Sequence, residues 1–146
     1  MNTTIYLIRH SVRFNTDLVE SYHSDQNNTI KNEKIPLSIS GEQRAEILSN
    51  ESELQNLDVV YTSNYTRTIQ TAKYILAKQN LGFHVDDRFD ERKVGIPNKD
   101  SVPDWWLRQF NDKDYKTEGG ESQEDVRNRF TEAFNEIMEQ HKGKRI

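Results

Sequence analysis

Arg9, His10 and Arg13 crowd one short stretch of this chain, Ile5-Tyr6-Leu7-Ile8-Arg9-His10-Ser11-Val12-Arg13. Guanidiniums offer planar, multi-donor forks that match phosphate oxygens. A histidine beside them has the chemistry of a nucleophile or a proton carrier. Two further groups stand apart in sequence: Arg67, in the first turn of an expected helix, and Glu91, in the acidic run Asp86-Asp87-Arg88-Phe89-Asp90-Glu91-Arg92. From residue types alone, an exposed basic loop after an edge strand explains the first cluster as well as an anion site does. A solvated surface acid likewise accounts for Glu91.

What must position these groups is a strand. Ile5 to Ile8 are four apolar or aromatic residues in a row, which suits a strand buried on both faces of a parallel sheet. Open α/β sheets bind ligands beyond the carboxyl ends of their strands, where Arg9 and His10 would project. Residues 14–36 are polar and read as a long surface loop with room for a short helical piece. Ser40-Gly41-Glu42-Gln43 has capping-box spacing, and the helix it opens, carrying Ala45, Ile47 and Leu48, is expected to end near Glu51.

Leu57 to Tyr61 form a second expected strand, followed by Thr62-Ser63-Asn64 as capping residues. In the next helix Tyr65, Ile69, Ala72, Ile75 and Leu76 make a core stripe, with Arg67 off it. Gly82 closes that unit and Phe83-His84-Val85 alternates like a third strand. Trp105-Trp106-Leu107 with Phe110 reads as a short helix begun by Pro103, its tryptophans packed over a sheet edge. Ser122 and Asp125 cap a last helix whose buried face is Val126, Phe130, Ala133, Phe134 and Ile137. Strand–helix–strand units in succession predict an α/β fold with a largely parallel sheet flanked by helices, in one domain over residues 1–146.

Composition narrows the function classes. A net charge of −4 argues against a general nucleic-acid binder, so a bound anion must be held by local arginines. The chain has no cysteine, hence no disulfide framework and no thiolate chemistry, which suits the cytoplasm. No apolar run approaches the roughly 20 residues of a membrane span. Mean hydropathy is −0.97, but the apolar residues fall in blocks, which favours a small core over a disordered chain. Asp86, Asp87 and Asp90 lack ligand spacing, so no metal and no cofactor is expected.

The order of the signals is more specific than any one of them, and it resembles the histidine phosphatase superfamily, the phosphoglycerate-mutase-like proteins. Leu7-Ile8-Arg9-His10 resembles the family's strand and R-H-G motif, with Ser11 in place of the glycine. Pro36-Leu37-Ser38-Ile39-Ser40-Gly41 resembles its P-L-T-x-x-G segment, and Ser63 to Ala72 its S-x-x-x-R-x-x-Q-T-A segment. Phe89-Asp90-Glu91 through Gly95 is similar to its L-x-E-x-x-x-G segment.

The resemblance implies a phosphomonoester hydrolase that forms a phosphohistidine on His10. Arg9 and Arg67 would clamp the phosphoryl oxygens, and Glu91 would act as proton donor and then base, which requires a raised pKa. Arg13 resembles the second arginine of the acid-phosphatase branch and is expected as a third phosphate contact. Asn15 corresponds to the family's loop asparagine. The partner implied is a phosphorylated small molecule, with oligomeric state left open.

One departure is larger. The family's S-H-G motif, on the strand after the last helix, has no counterpart here, which reads as a C-terminal truncation and implies a chain impaired as a catalyst. Two other readings stay open: a phosphoglycerate mutase, from Glu91-Arg92, Gly95 and Asn98-Lys99, and a non-catalytic phosphate-binding or interaction module of the same fold. The mutase's F-T-G-W loop is absent from residues 20–36.

Overall fold

The computed structural model describes residues 2–14, 32–96 and 104–146. Helix α1 spans Ile39–Leu48, strand β1 Tyr61–Thr62, helix α2 Thr66–Gln79 and strand β2 His84–Val85. Helices α3, Trp105–Asn111, and α4, Gln123–Gln140, follow. β1 and β2 pair in parallel, with Tyr61 opposite His84, so the strand–helix–strand unit read from sequence is present. The fold is α/β, with a small parallel sheet and helices against it.

Each helix has a local cause, and several ends differ from the sequence reading. The N-cap of α1 is Ser38, whose hydroxyl accepts from the Gly41 amide at 3.0 Å, so the expected Ser40–Gln43 capping box does not form. α1 stops at Leu48 rather than near Glu51, and Ser52–Leu54 make a separate 3₁₀ turn. α2 begins after Tyr65, which offers no side-chain cap; Thr62, Ser63 and Asn64 do not cap it. Asn80 ends α2 in the left-handed region at φ 52°, two residues before Gly82. α4 opens as expected, with a complete Ser122–Asp125 capping box.

The core lies between helices. α1 packs on α2, and Ala45 of α1 and Ile75 and Leu76 of α2 are buried. An ion pair, Lys73 Nζ to Glu42 Oε2 at 2.5 Å, and a Tyr74 hydroxyl donating to the same oxygen tie the two helices at their rim. α4 buries Ala133 and Ile137, while Phe130 and Phe134 pack edge-on and tilted against Phe89 in the 3₁₀ turn Asp87–Phe89.

The first expected strand departs most from expectation. Leu7 is 76% exposed and Ile8 is 43% exposed, so the stretch is not buried on either face. Only its start is paired: Thr4 bridges Arg145 in parallel, and Tyr6 N–H donates to Ile146 O at 2.8 Å. Past Tyr6 no neighbouring strand borders it among the described residues, and an unladdered strand leaves its side chains in solvent. The α3 expectation also splits. The helix forms, but Trp106 and Phe110 are exposed rather than packed over a sheet edge.

Candidate active site

His10 follows the first stretch, and its backbone is held by two elements far away in sequence. Ser11 N–H donates to Thr71 Oγ1 at 3.0 Å, and Ser11 Oγ donates to Gly41 O at 2.8 Å. Ser38 N–H donates to Val12 O at 2.9 Å, so the start of α1 sits against the segment just past the histidine. That approach explains Gly41. A Cβ there would lie 2.1 Å from the Val12 carbonyl oxygen, closer than any side chain tolerates. The glycine is an allowance for close backbone contact within a helix, where it otherwise costs stability.

The imidazole itself is half-buried, and its Nδ1 lies 2.7 Å from Ser11 O. A carbonyl only accepts, so Nδ1 carries the proton in the neutral ring and Nε2 keeps its lone pair. In that tautomer the lone pair lies on Nε2, the ring nitrogen that the Ser11 contact does not use.

Arg67 is the most constrained charge of the site. It sits in the first turn of α2 and is only 2% exposed, on the same face as buried Thr71 and Ile75, rather than off the core stripe. Thr71 Oγ1 donates to Arg67 O at 2.7 Å and accepts from Ser11 N–H, which links the arginine's turn to the histidine's backbone. Arg67 Nη1 donates to Asn32 O at 2.7 Å, and Nη2 donates to Glu91 Oε2 at 2.8 Å. Its guanidinium lies 4.4 Å from the centroid of the Tyr65 ring. Burial pulls the Arg67 pKa down, with the Glu91 carboxylate opposing it and Arg13 adding to the fall. The same burial lifts the Tyr65 phenol to about 12.

Glu91 is exposed, and one of its oxygens accepts from both Arg67 and Asn32 Nδ2, the latter at 3.0 Å. Its neighbour Asp90 accepts from Asn64 N–H at 3.1 Å, and burial raises the Asp90 carboxyl above its ordinary value. Gly95 closes this segment at φ 73°, with a would-be Cβ 2.4 Å from Glu118 O, so no other residue fits the turn.

Arg13 is exposed and bridges Leu37 antiparallel, near enough for Arg67 to feel its charge. Arg9 is exposed and lines a cavity together with His10 and Ser63. Asn15 lies outside the described residues. The structure therefore joins His10, Arg67, Glu91 and Arg13 through α2 and the 32–38 segment.

Asn32 was not foreseen, although it contacts both Arg67 and Glu91. It stands in a polar stretch with no motif or periodicity, and its role emerges only from the three-dimensional approach of residues 32–34, which are helical, to α2. Gln70 is similar: its Oε1 accepts from Leu37 N–H at 2.7 Å and pins the segment that Ser38 and Gly41 belong to. Among the described residues no group of three or more His, Asp or Glu could hold a metal ion.

A buried guanidinium, a tautomer-fixed imidazole and a carboxylate at one place can bind a phosphoryl group and move protons about it. Bacillus stearothermophilus YhfR is 25% identical, superposes with a TM-score of 0.76, and is matched over 99% of this chain and 71% of its own. Mycobacterial glucosyl-3-phosphoglycerate phosphatase, solved with inorganic phosphate, is 19% identical with a TM-score of 0.66, over 93% of this chain and 61% of its own. The α-ribazole phosphatase of Shigella flexneri is 19% identical with a TM-score of 0.66, over 96% of this chain and 68% of its own. No curated protein matches the sequence. The model of the histidine phosphatase superfamily, branch 1, matches residues 5–146, and the chain belongs to that family.

Proposed function

We propose that this chain is a phosphomonoester hydrolase whose nucleophile is His10, working on a phosphorylated small molecule. The observation that carries the reading is the 2.7 Å contact from His10 Nδ1 to Ser11 O, which in the neutral ring leaves the lone pair on Nε2. Nε2 attacks phosphorus, a P–N bond forms, and the ester P–O bond breaks. Glu91 delivers a proton to the departing alkoxide. It then takes one from the water that attacks the phosphohistidine, releasing inorganic phosphate and restoring the ring. Arg67, Arg13 and Arg9 neutralise the oxygens whose charge is redistributed in the transition state, and Asn15 supplies a neutral amide donor to them.

Arg67 is committed to Glu91 through Nη2 and to Asn32 through Nη1, while its buried Nε–H has no hydrogen-bond partner among the described residues and is left for a phosphoryl oxygen. A non-catalytic phosphate-binding module of the same fold draws support from that same commitment of Arg67 to Glu91 and Asn32. One experiment separates the two. The protein is mixed with p-nitrophenyl phosphate, quenched in base, and its peptides examined by mass spectrometry. A phosphoryl group on the peptide containing His10, lost on acid treatment and absent from His10→Ala, is the expected result. Phosphate binding without any phosphorylated His10 favours the non-catalytic module. Release of inorganic phosphate rather than transfer between positions of a phosphoglycerate separates a phosphatase from a mutase.

A further inference from the structure

The Arg67 guanidinium is held by two hydrogen bonds in its own plane and by one contact out of it. Nη1 donates to Asn32 O at 2.7 Å and Nη2 to Glu91 Oε2 at 2.8 Å. These bonds fix the two Nη atoms but resist tilt about the line joining them only weakly. The contact that opposes tilt is the Tyr65 ring, whose centroid lies 4.4 Å from Arg67 Cζ. The tilt matters because it sets the direction of the buried Nε–H, which has no hydrogen-bond partner among the described residues.

Tyr65 is well placed for that duty. It is 4% exposed, and a cation over an aromatic face gains most where both are desolvated. Its backbone takes φ −69° and ψ 132° just ahead of α2, and its carbonyl accepts from Thr68 N–H at 3.0 Å and from Thr68 Oγ1 at 2.7 Å. The ring is therefore carried by the start of the helix that bears the arginine. Burial, with the carboxylates of Glu91, Asp90 and Glu33, keeps the phenol protonated at neutral pH. Arg67 thus faces a neutral ring.

We propose that Tyr65 is a positioning residue: the face of its ring holds the Arg67 guanidinium so that the unpaired Nε–H is presented to a phosphoryl oxygen. The inference rests on Arg67 as a phosphate ligand and deepens that part of the reading above, without using His10. A guanidinium free to tilt offers Nε–H for only part of the time, and its apparent affinity for phosphate falls by that fraction.

The test titrates the full chain with inorganic phosphate and follows the Arg67 Nε–H signal by proton–nitrogen NMR. Arg67→Lys identifies the signal by removing it. In the unsubstituted chain the Tyr65 ring current should displace this signal, and phosphate should move it saturably. Tyr65→Phe keeps the ring face and should bind phosphate as the unsubstituted chain does. Tyr65→Leu should abolish the ring-current displacement and weaken phosphate about 3- to 10-fold. A leucine also leaves space in a buried site, so Tyr65→pentafluorophenylalanine is the second variant. It keeps an aromatic shape but reverses the ring quadrupole, and it should weaken phosphate to a similar degree. Unchanged affinity in the leucine or the pentafluorophenylalanine variant overturns the proposal. Equal weakening in Tyr65→Phe and Tyr65→Leu also overturns it, because the hydroxyl is then responsible. So does an Arg67 signal that ignores phosphate in the unsubstituted chain. None of these outcomes depends on a phosphorylated His10, which stands or falls by its own trapping experiment.

Discussion

Arg67 Nη2 donates to Glu91 Oε2 at 2.8 Å across a boundary between two media: the arginine side chain is 3% exposed and the glutamate side chain 57%. The two partners are therefore unequal. Releasing a largely solvated carboxylate costs little, about 0–1 kcal/mol for a pair of this kind. Leaving the buried guanidinium unpaired costs far more. In the proposed reaction a phosphoryl oxygen binds Arg67 beside Glu91 or in its place, and Glu91 serves the leaving group as proton donor.

Leaving-group dependence tests that division of labour. Glu91→Gln keeps the hydrogen bond to Arg67 but removes the acid. Hydrolysis of alkyl phosphates, whose alkoxides need a proton, should fall about 10²- to 10⁴-fold. p-Nitrophenyl phosphate, whose leaving group is stable as an anion, should fall much less. Rates for both esters, each relative to the unsubstituted chain, check the claim. Equal losses would assign Glu91 a role other than proton donor.

Arg67→Lys examines the fork. Lysine preserves the charge but cannot bond Asn32 O and a phosphoryl oxygen in one plane. The expected loss in turnover is about 10²- to 10³-fold, the usual cost of one donor to a developing oxyanion. Inorganic phosphate, as a competitive inhibitor, should weaken in parallel. Circular dichroism establishes whether the buried position tolerates the ammonium.

Asn32 donates from Nδ2 to Glu91 Oε2 at 3.0 Å, and a positioning role toward Glu91 is predicted from that bond. Its carbonyl contact with Arg67 belongs to the backbone and survives substitution, whereas its side-chain bond to Glu91 does not. Asn32→Ala should lower alkyl-ester turnover by about fivefold, the worth of one hydrogen bond. It should leave phosphate inhibition nearly unchanged. A purely structural role would move both readouts together or neither.

The candidate site was legible in the sequence through the order of motifs around His10, Arg67 and Glu91 that resembles the family's, since residue types alone left an exposed basic loop and a solvated surface acid as equally good readings. What escaped was contact between segments distant along the chain, since neither Asn32 nor Gln70 has local periodicity to betray it. The burial of Arg67 escaped for a related reason: a helical wheel scores arginine as polar, while the 67–71–75 face turns into the core. The exposure of Leu7 and Ile8 was hidden by the same logic in reverse. Four apolar residues specify a buried strand only where partners lie on both sides, and pairing is a property of the whole sheet.

Gly41→Ala carries a packing prediction. The new Cβ would meet the Val12 carbonyl at 2.1 Å, and backbone cannot swing aside as a flexible side chain does. α1 would have to move away from the segment after His10, losing the Ser11 Oγ bond to Gly41 O and the Ser38 bond to Val12 O. Destabilisation of about 1–3 kcal/mol is expected, with thermal unfolding as the readout. Gly82→Ala is the control, because a Cβ there meets nothing within 4 Å.

The pair Glu121–Arg129 sets an acid limb on stability. Arg129 Nε donates to Glu121 Oε1 at 2.8 Å, Lys93 N–H donates to Oε2 at 2.9 Å, and Arg129 Nη1 donates to Arg88 O at 2.6 Å. These bonds clip the segment that carries Glu91 onto α4. Burial pushes the Glu121 carboxyl up, but the arginine and the Lys93 amide outweigh it, and its pKa lies below the ordinary 4.5. A carboxyl whose folded-state pKa is depressed contributes stability at pH above its unfolded value and loses it as the pH falls through the folded one. Glu121→Gln should therefore cost about 1–3 kcal/mol at pH 7, where a charge-assisted bond becomes a neutral one facing a half-buried arginine. The gap to the unsubstituted chain should narrow steadily below pH 4.5, as Glu121 itself takes up a proton. Urea unfolding at pH 7 and at successively lower pH measures both limbs, and a gap that stays constant would remove Glu121 from the acid transition.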